Sequence, residues 1–393
     1  MGKTVVLFGA GAEVGFNISG GDEFARNVLG LRKEEENEAS IDCALKNVYD
    51  NKYKKLINSQ QEWYPSKFQI VSFTEKELQR KLFYACYRKK ALDEQRHSQV
   101  LTDDRINEEL DTHSQQKRSE VISEVINSHT SYMGIVDGYF HTLISPNLLG
   151  PQKFCTVMAF YTRAYLCIAK KILEKDDSPI MSYQQILEEP AVALSKMKSI
   201  IKKHRDFNEK DSYYSILKKI SSTNKDNYSI ITTNYTPCCE IVSDINKDRI
   251  AFVHGRFGLF ESPYNLQVVD VEKDQNYPYD SNILFPYIFI QSGIKPIVEK
   301  NQLIEYSKAL SFIASANRVV IVGYRINADD NHLNSLIRDA IIDEKEIVYL
   351  DYDNVGEDVI LKRLRLQSTE KRNFIYEHIK KETAFDVFQR WMQ

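Results

Sequence analysis

The sequence predicts an α/β fold in which a parallel sheet is flanked by helices. Three apolar segments rich in β-branched residues are each followed by a small or polar residue: Thr4–Phe8 by Gly9, Tyr228–Thr233 by Asn234, and Ile250–Val253 by His254. Such runs are typical of strands that are buried on both faces of a parallel sheet. The interval between Asn234 and His254 leaves room for one short crossover helix, which parallel neighbours require.

The first predicted strand is followed by the glycine-rich turn Gly9-Ala10-Gly11-Ala12. Glycines at this place let backbone N–H groups approach a phosphate, and the helix start that follows favours negative charge. The second half of a GxGxxG pattern is imperfect, because Glu13 and Val14 precede Gly15. A turn that serves only tight packing is therefore an open alternative to a phosphate site.

Two polar residues follow the next two predicted strands. Ligands of open α/β sheets bind beyond the carboxyl ends of the strands, so we expect Asn234, His254 and the turn at residues 9–11 to share one crevice. The Asn234 amide can both donate and accept a hydrogen bond, and a histidine suits general-base work near neutral pH. The alternatives are a turn role for Asn234 and a purely structural, buried His254.

Two later segments extend the predicted sheet. Arg318–Val322 is followed by Gly323 and Tyr324, and the last segment, residues 347–351, ends in Asp351. We expect Asp351 to accept a hydrogen bond from a ribose or to cap the local turn. With the first three strands, these segments predict a Rossmann-like sheet.

A long interval separates the first predicted strand from the second. It is predicted to be mainly helical, with a helix over Pro151–Lys175 and another over Tyr183–Lys203 that is interrupted near Pro190. We therefore predict a Rossmann-like domain formed by residues 1–34 and 211–393, with a helical insertion at residues 35–210.

Taken together, these motifs resemble the sirtuin family. The shared features are the Gly-Ala-Gly turn, the Thr-x-Asn segment Thr232-Thr233-Asn234, the His254-Gly255 pair that follows the next strand, and the strand before Gly323. The segment around Asp22 and Phe24 is similar to the family's Asp-Phe-Arg motif. The resemblance implies that NAD is the substrate, that Asn234 and His254 are catalytic, and that further residues contact NAD: Gly9, Ala10, Gly11, Ala12, Asp22, Phe24, Thr233, Gly323, Tyr324 and Asp351.

The chain departs from the family in three places. Protein-deacylating sirtuins carry Cys-x-x-Cys pairs for zinc after the catalytic histidine, whereas the six cysteines of this chain include no such pair. We therefore expect no metal. Many relatives have Ser where Glu13 stands and Asp where Thr236 stands, so contacts to ribose and nicotinamide are expected to differ in detail.

Composition narrows the class of protein. A chain of 393 residues with 42% hydrophobic residues can bury a large core, and its net charge of −3 gives no general attraction for nucleic acid or an anionic membrane. No run reaches the roughly 18 apolar residues of a membrane-spanning helix. Cysteines without paired spacing favour a reducing, cytoplasmic location.

The function that the resemblance implies is NAD+ hydrolysis to nicotinamide and ADP-ribose, in a bacterial antiphage effector that depletes NAD. Sirtuin-like proteins of this size also imply a homo-oligomer and a HerA-type hexameric ATPase as partner. Two alternatives come from other classes: a regulatory subunit that binds NAD or ADP-ribose without turnover, and a nucleic-acid-processing subunit of an ATPase complex. A deacylase is a weaker alternative, because the zinc pairs are missing.

Overall fold

The computed structural model describes residues 3–18, 44, 162, 164–176, 179–223, 225–262, 267–274, 284–288, 300–326, 330–367, 370 and 373–393. The strands in these ranges are β1 (Thr4–Phe8), β2 (Tyr228–Thr232), β3 (Ile250–Phe252), β4 (Gly255–Ser262), β5 (Gln267–Asp270), β6 (Phe285–Ile288), β7 (Arg318–Val322), β8 (Glu346–Asp351) and β9 (Phe374–His378). The helices there are α1 (residues 164–173), α2 (Tyr183–Glu188), α3 (Pro190–Lys203), α4 (Arg205–Asn208), α5 (Tyr213–Ser221), α6 (Cys238–Ser243), α7 (Lys300–Ser315), α8 (Asn331–Ile342), α9 (Glu357–Arg363) and α10 (Ala384–Met392).

Within the described ranges, six parallel strands form one sheet in the order β3-β2-β1-β7-β8-β9. The predicted α/β class and Rossmann-like parallel sheet are confirmed. The strand ends predicted from the sequence lie within one residue of the observed ends. Strand β9 also belongs to this sheet and was not predicted from the sequence. The crossover between β2 and β3 contains α6, as the spacing predicts.

The sheet is buried on both faces, because its side chains alternate between two apolar cores. Val6 and Phe8 of β1 belong to the core that includes residues of α1–α6 and α10. Val5 and Leu7 belong to the core that includes residues of α7–α9. Successive side chains of a strand point to opposite faces, so a continuous apolar run fills both cores.

The chain reverses its direction of sheet growth between β1 and β7. β2 and β3 extend the sheet on one side of β1, and β7, β8 and β9 extend it on the other. Three glycines meet there: Gly9 N donates to Val322 O at 2.9 Å, Gly11 N donates to Gly323 O at 3.0 Å, and Gly323 has φ 66°. A topological switch point is where doubly wound sheets form their ligand crevice.

A second sheet of three antiparallel strands, in the order β5-β4-β6 among the described segments, begins directly after His254. Gly255 has φ 80°, and a Cβ there would lie 2.2 Å from Tyr287 O. Only glycine fits this close approach without backbone movement. Arg256 and Asp270 form a buried ion pair at 2.6 Å between β4 and β5.

Helices from the predicted insertion pack against the parallel sheet. The predicted interruption near Pro190 is confirmed, because α2 ends at Glu188 and α3 begins at Pro190. Proline disfavours helical backbone in the residue before it. Helices α1 to α4 share a core with Val6 and Phe8. The division into residues 1–34 plus 211–393 and 35–210 stays a prediction, and most of the predicted insertion lies outside the described residues.

The glycine contacts at the switch point predict a position-specific stability loss. In Gly9→Ala, the new Cβ would lie 2.4 Å from Gly323 O and 2.6 Å from Tyr324 Cα, both backbone atoms. We expect the free energy of unfolding to fall by about 1–3 kcal/mol, measured by urea unfolding with circular dichroism. The control is Gly15→Ala, whose Cβ meets nothing within 4 Å. Equal losses in the two variants would contradict this account of the turn.

Candidate functional site

The predicted site residues lie at one edge of the parallel sheet. Phe8, Thr232 and Val322 are in register across β1, β2 and β7, so the segments that follow them leave the sheet side by side. The next residues, Gly9, Thr233 and Gly323, are held by backbone bonds, since Thr233 N donates to Phe8 O at 3.0 Å and Gly9 N to Val322 O at 2.9 Å. The structure thus places these motifs around the switch point.

The glycine-rich turn is held by its own backbone. Gly11 N donates to Gly323 O and Ala12 N donates to Gly9 O, both at 3.0 Å. Ala10 and Gly11 are exposed, whereas Ala12 is buried where the short 3-10 helix Ala10–Phe16 begins. The N–H groups of Gly11 and Ala12 therefore fix the turn, and a pyrophosphate contact for residues 9–12 stays a prediction.

Asn234 is buried, with 6% of its surface exposed, and its amide is oriented by two acceptors. Nδ2 donates to Gly9 O at 3.0 Å and to the Tyr214 hydroxyl oxygen at 3.1 Å, and the backbone N donates to Thr232 Oγ1 at 3.0 Å. Both amide hydrogens are therefore used inside the protein, which leaves Oδ1 as the atom that can accept a hydrogen bond from a ligand.

Glu13 lies behind Asn234 in a buried polar cluster. Its carboxylate accepts a hydrogen bond from the Tyr214 hydroxyl at 2.9 Å and from Thr236 Oγ1 at 2.8 and 2.9 Å. These two positions, 13 and 236, are the ones at which the sequence departs from its sirtuin-like resemblance. The structure brings them into contact with each other.

Burial decides the protonation behaviour of this cluster. Burial raises the pKa of Glu13 from 4.5 to about 7, and the hydrogen bonds from Thr236, Tyr214 and Asn234 offset part of that effect. Burial, followed by the negative charge of Glu13, raises the pKa of Tyr214 well above its ordinary value. Tyr214 is thus a stable hydroxyl donor, and Glu13 changes charge near neutral pH.

His254 is paired with a residue that sequence reasoning did not assign to catalysis. His254 is 1% exposed, Asp330 is 0% exposed, and His254 Nε2 lies 3.1 Å from Asp330 Oδ1. Asp330 immediately precedes α8, so the pair joins the end of β3 to the segment after β7. A carboxylate beside Nε2 favours the proton on that nitrogen, so that Nδ1 carries the lone pair of the neutral ring.

Helix α7 also holds the segment that precedes His254 through two side-chain hydrogen bonds. Gln302 of α7, which is 1% exposed, donates from Nε2 to Val253 O, the carbonyl just before His254. Phe252 N donates to Glu305 Oε2 at 2.8 Å. These two bonds fix the backbone on which the histidine is mounted, as a preorganised site requires.

Tyr324 and Asp351, which are predicted to contact NAD, have protein partners. The Tyr324 hydroxyl donates to Asn334 Oδ1 at 2.8 Å. Asp351 accepts hydrogen bonds from Asp353 N at 3.0 Å, Val355 N at 2.6 Å and the Tyr376 hydroxyl at 2.5 Å. The capping role that the sequence left open for Asp351 is therefore seen, and its contact with a ribose stays a prediction.

Some predicted residues lie outside the described residues, and some described partners were not predicted. Asp22 and Phe24 belong to the first group. Tyr214 and Asp330 belong to the second, because each acts through a residue that is distant from it in sequence. A strand followed by a glycine and then an acidic residue before a helix was the available signal for Asp330.

The described residues offer neither a metal site nor a membrane-spanning helix. No group of three or more His, Cys, Asp or Glu side chains there could hold a metal ion. In the same part of the chain, no helix is long and apolar enough to cross a membrane.

The fold and its edge define an open α/β protein with a topological switch point, the place where doubly wound sheets form their ligand crevice. A crystal structure of a Sir2 homolog–NAD complex is 11% identical, with 57% of this chain and 75% of that chain covered at a TM-score of 0.32. A structure of Sir2 with the inhibitor EX-527, 2'-O-acetyl-ADP-ribose and deacetylated p53 peptide is also 11% identical, with 56% and 88% covered at a TM-score of 0.31. No protein-family model and no curated protein matches the sequence. At these TM-scores the overlaps do not assign a family.

The raised pKa of Glu13 predicts a pH-dependent stability. The folded state binds this proton more tightly than the unfolded chain, so its contribution to the free energy of unfolding is full below about pH 4.5 and is lost as pH rises to about 7. We expect a loss on the order of 3 kcal/mol in wild type and none from this position in Glu13→Gln. Urea unfolding at several pH values measures it.

The control for that measurement is Glu346→Gln. Glu346 is a half-exposed carboxylate that pairs with Arg318 at the amino end of the same sheet. It should keep the wild-type slope of stability between about pH 5 and about pH 8. The same slope in Glu13→Gln as in wild type would assign it to another group.

Proposed function

We propose that the chain is an NAD+ hydrolase that cleaves the bond between nicotinamide and ribose. Water and NAD+ would give nicotinamide, ADP-ribose and a proton. The observation that carries the proposal is the placement of Asn234 and the His254–Asp330 pair on segments that leave the same sheet edge, beside the switch point formed by Gly9 and Gly323. Such a crevice suits an extended dinucleotide.

The proposed binding mode follows the sheet edge. The pyrophosphate would lie over the turn at residues 9–12 and near Thr233 and Gly323, with Asp22 and Phe24 on the segment that follows the turn. Tyr324 and Asp351 would lie on the adenosine side, beyond β7 and β8. Support comes from the order of these residues along the edge, which matches the order of the strands.

The proposed chemistry needs little acid catalysis. Nicotinamide leaves as a neutral molecule from a cationic ring, so the protein must stabilise the positive charge that develops on the ribose and guide a nucleophile to it. The Oδ1 of Asn234 would accept a hydrogen bond from a ribose hydroxyl or the attacking water. Nδ1 of His254 would take the proton released by that group, and Asp330 would stabilise the imidazolium that forms.

We further propose that the hydrolase is a bacterial antiphage effector that depletes NAD, works as a homo-oligomer in the cytoplasm and associates with a HerA-type hexameric ATPase. These assignments rest on the sirtuin-like motifs, the length of the chain and the lack of zinc-binding cysteine pairs in the sequence. An enzyme that destroys NAD also needs restraint, so weak activity of the isolated chain is part of the proposal.

Mass-spectrometric detection of nicotinamide and ADP-ribose after incubation with NAD+ tests the reaction. We expect Asn234→Ala and His254→Ala each to lower kcat/KM by at least about 100-fold, because each removes a group that acts on the reacting atoms. Asp330→Asn should lower it by about 10–100-fold, since the histidine remains but loses the carboxylate that orients it.

Matched controls lie away from the site. Asn317→Ala removes an amide that accepts from Lys3 N at the opposite edge of the sheet, and Asp339→Asn neutralises an exposed carboxylate on α8. Both should keep wild-type activity. NAD+ that binds but is not consumed by wild type, with or without the ATPase, would favour a regulatory subunit over a hydrolase.

The assembly proposal has its own test. Mass photometry of the purified chain should show species that are multiples of 45.7 kDa, and a HerA-type ATPase should shift them to a larger complex. A single 45.7 kDa species under both conditions would contradict it. The result does not depend on whether NAD+ is cleaved.

A further inference from the structure

The Glu13 cluster forms a chain of hydrogen bonds with a defined direction. Asn234 Nδ2 donates to the Tyr214 oxygen at 3.1 Å, and the Tyr214 hydroxyl donates to Glu13 Oε1 at 2.9 Å. Thr236 also donates to Glu13. Every donor in this arrangement points toward the carboxylate, which only an ionised carboxylate, as a pure acceptor, satisfies in full.

Adding a proton to Glu13 changes the directions of the hydrogen bonds in this cluster. A protonated carboxyl must donate a hydrogen bond, and the oxygens of Tyr214 and Thr236 are the acceptors that already touch it. If Tyr214 accepts from Glu13, its own hydrogen is free to turn toward Asn234. Nδ2 cannot accept that hydrogen, and the amide cannot turn Oδ1 toward it without also facing the Gly9 carbonyl oxygen, so protonation weakens the hydrogen bond between Asn234 and Tyr214.

We propose that Glu13 is a positioning residue whose ionised carboxylate, acting through Tyr214, holds the Asn234 amide with Oδ1 toward the ligand, and whose protonation weakens that hold. The inference rests on the proposed function only where activity is the readout. Glu13 is distant from Asn234 in sequence, and the Tyr214 hydroxyl bridges the two side chains.

The groups that face Glu13 do not compete for this role near neutral pH. Tyr214 comes from α5, and Cys238 and Cys239 come from α6. Burial is the largest effect on each, and with the nearby charge of Glu13 it raises the pKa of all three well above the ordinary values. Lys175, beyond the end of α1, acts on Cys238 in the opposite direction. Glu13, with a pKa of about 7, is the member of this cluster that changes charge at neutral pH.

The direct test follows the Asn234 side-chain amide by nuclear magnetic resonance, in the full chain without NAD+. Its resonances are assigned by their loss in Asn234→Asp. We expect them to shift with a midpoint near pH 7 in wild type and to stay constant in Glu13→Gln. Resonances that do not move with pH in wild type would overturn the proposal, whether or not the chain cleaves NAD+.

A second variant separates the relay from the charge. Tyr214→Phe removes the hydroxyl that links Glu13 to Asn234 and leaves the carboxyl in place. The infrared signal of the protonated carboxyl, identified by its absence in Glu13→Gln, should still titrate, while the response of the Asn234 amide becomes smaller. An unchanged response of the amide in Tyr214→Phe would overturn the role of the hydroxyl group.

Activity supplies the third readout. We expect kcat/KM for NAD+ to fall more steeply below about pH 7 in wild type than in Glu13→Gln, because the proposed base His254 must be neutral in both proteins but Glu13 is ionisable only in wild type, and we expect activity at about pH 8 to be about tenfold lower in the variant. Glu346→Gln is the matched control and should keep the wild-type profile. An acid limb with the same midpoint and slope in Glu13→Gln as in wild type would assign it to His254 or another group and overturn the proposal. A wild type that cleaves no NAD+ at any pH contradicts the proposed function alone, because the amide resonances still test Glu13.

Discussion

The close backbone contact between the turns after β1 and β7 is the constraint on which the rest of the site depends. These two strands are neighbours in the sheet although they lie far apart in the sequence, and the chain reverses its direction of growth between them. Gly9, Gly11 and Gly323 let the backbones of the two turns come into contact, since a Cβ at any of them would lie within 2.7 Å of a backbone atom in the opposite turn. That approach places Gly9 O where Asn234 donates to it.

Two buried acids then define the polar part of this sheet edge. Glu13 accepts hydrogen bonds from the hydroxyl groups of Tyr214 and Thr236, and Asp330 lies beside His254. A buried carboxylate is costly unless it is hydrogen-bonded or paired, and here each partner comes from a different element of the fold. The residues that stabilise the two buried carboxylates are thus residues that can exchange or donate protons, as is common where protonation states serve a function.

The second sheet shows how the region after His254 is stabilised by packing. Tyr165 of α1 contacts Phe257 and Phe260 of β4, with ring centroids 4.5 and 5.6 Å apart. The buried Arg256–Asp270 pair joins β4 to β5. Apolar contacts with α1 and this ion pair hold the sheet against the helical layer, and they also fix the position of Gly255, which follows the histidine.

The sequence by itself determined the strands and the residues at their carboxyl ends. Apolar β-branched runs are local signals, and parallel pairing carries the motifs that follow them to one edge, so the positions of Gly9, Asn234 and His254 were predictable. Only the tertiary structure decided their partners. Glu13 and Thr236 looked like two separate departures from a motif, and no local pattern paired Asp330 with His254. The reason is physical: hydrogen bonds and burial depend on distances between segments that are remote from each other in sequence, which no local pattern encodes.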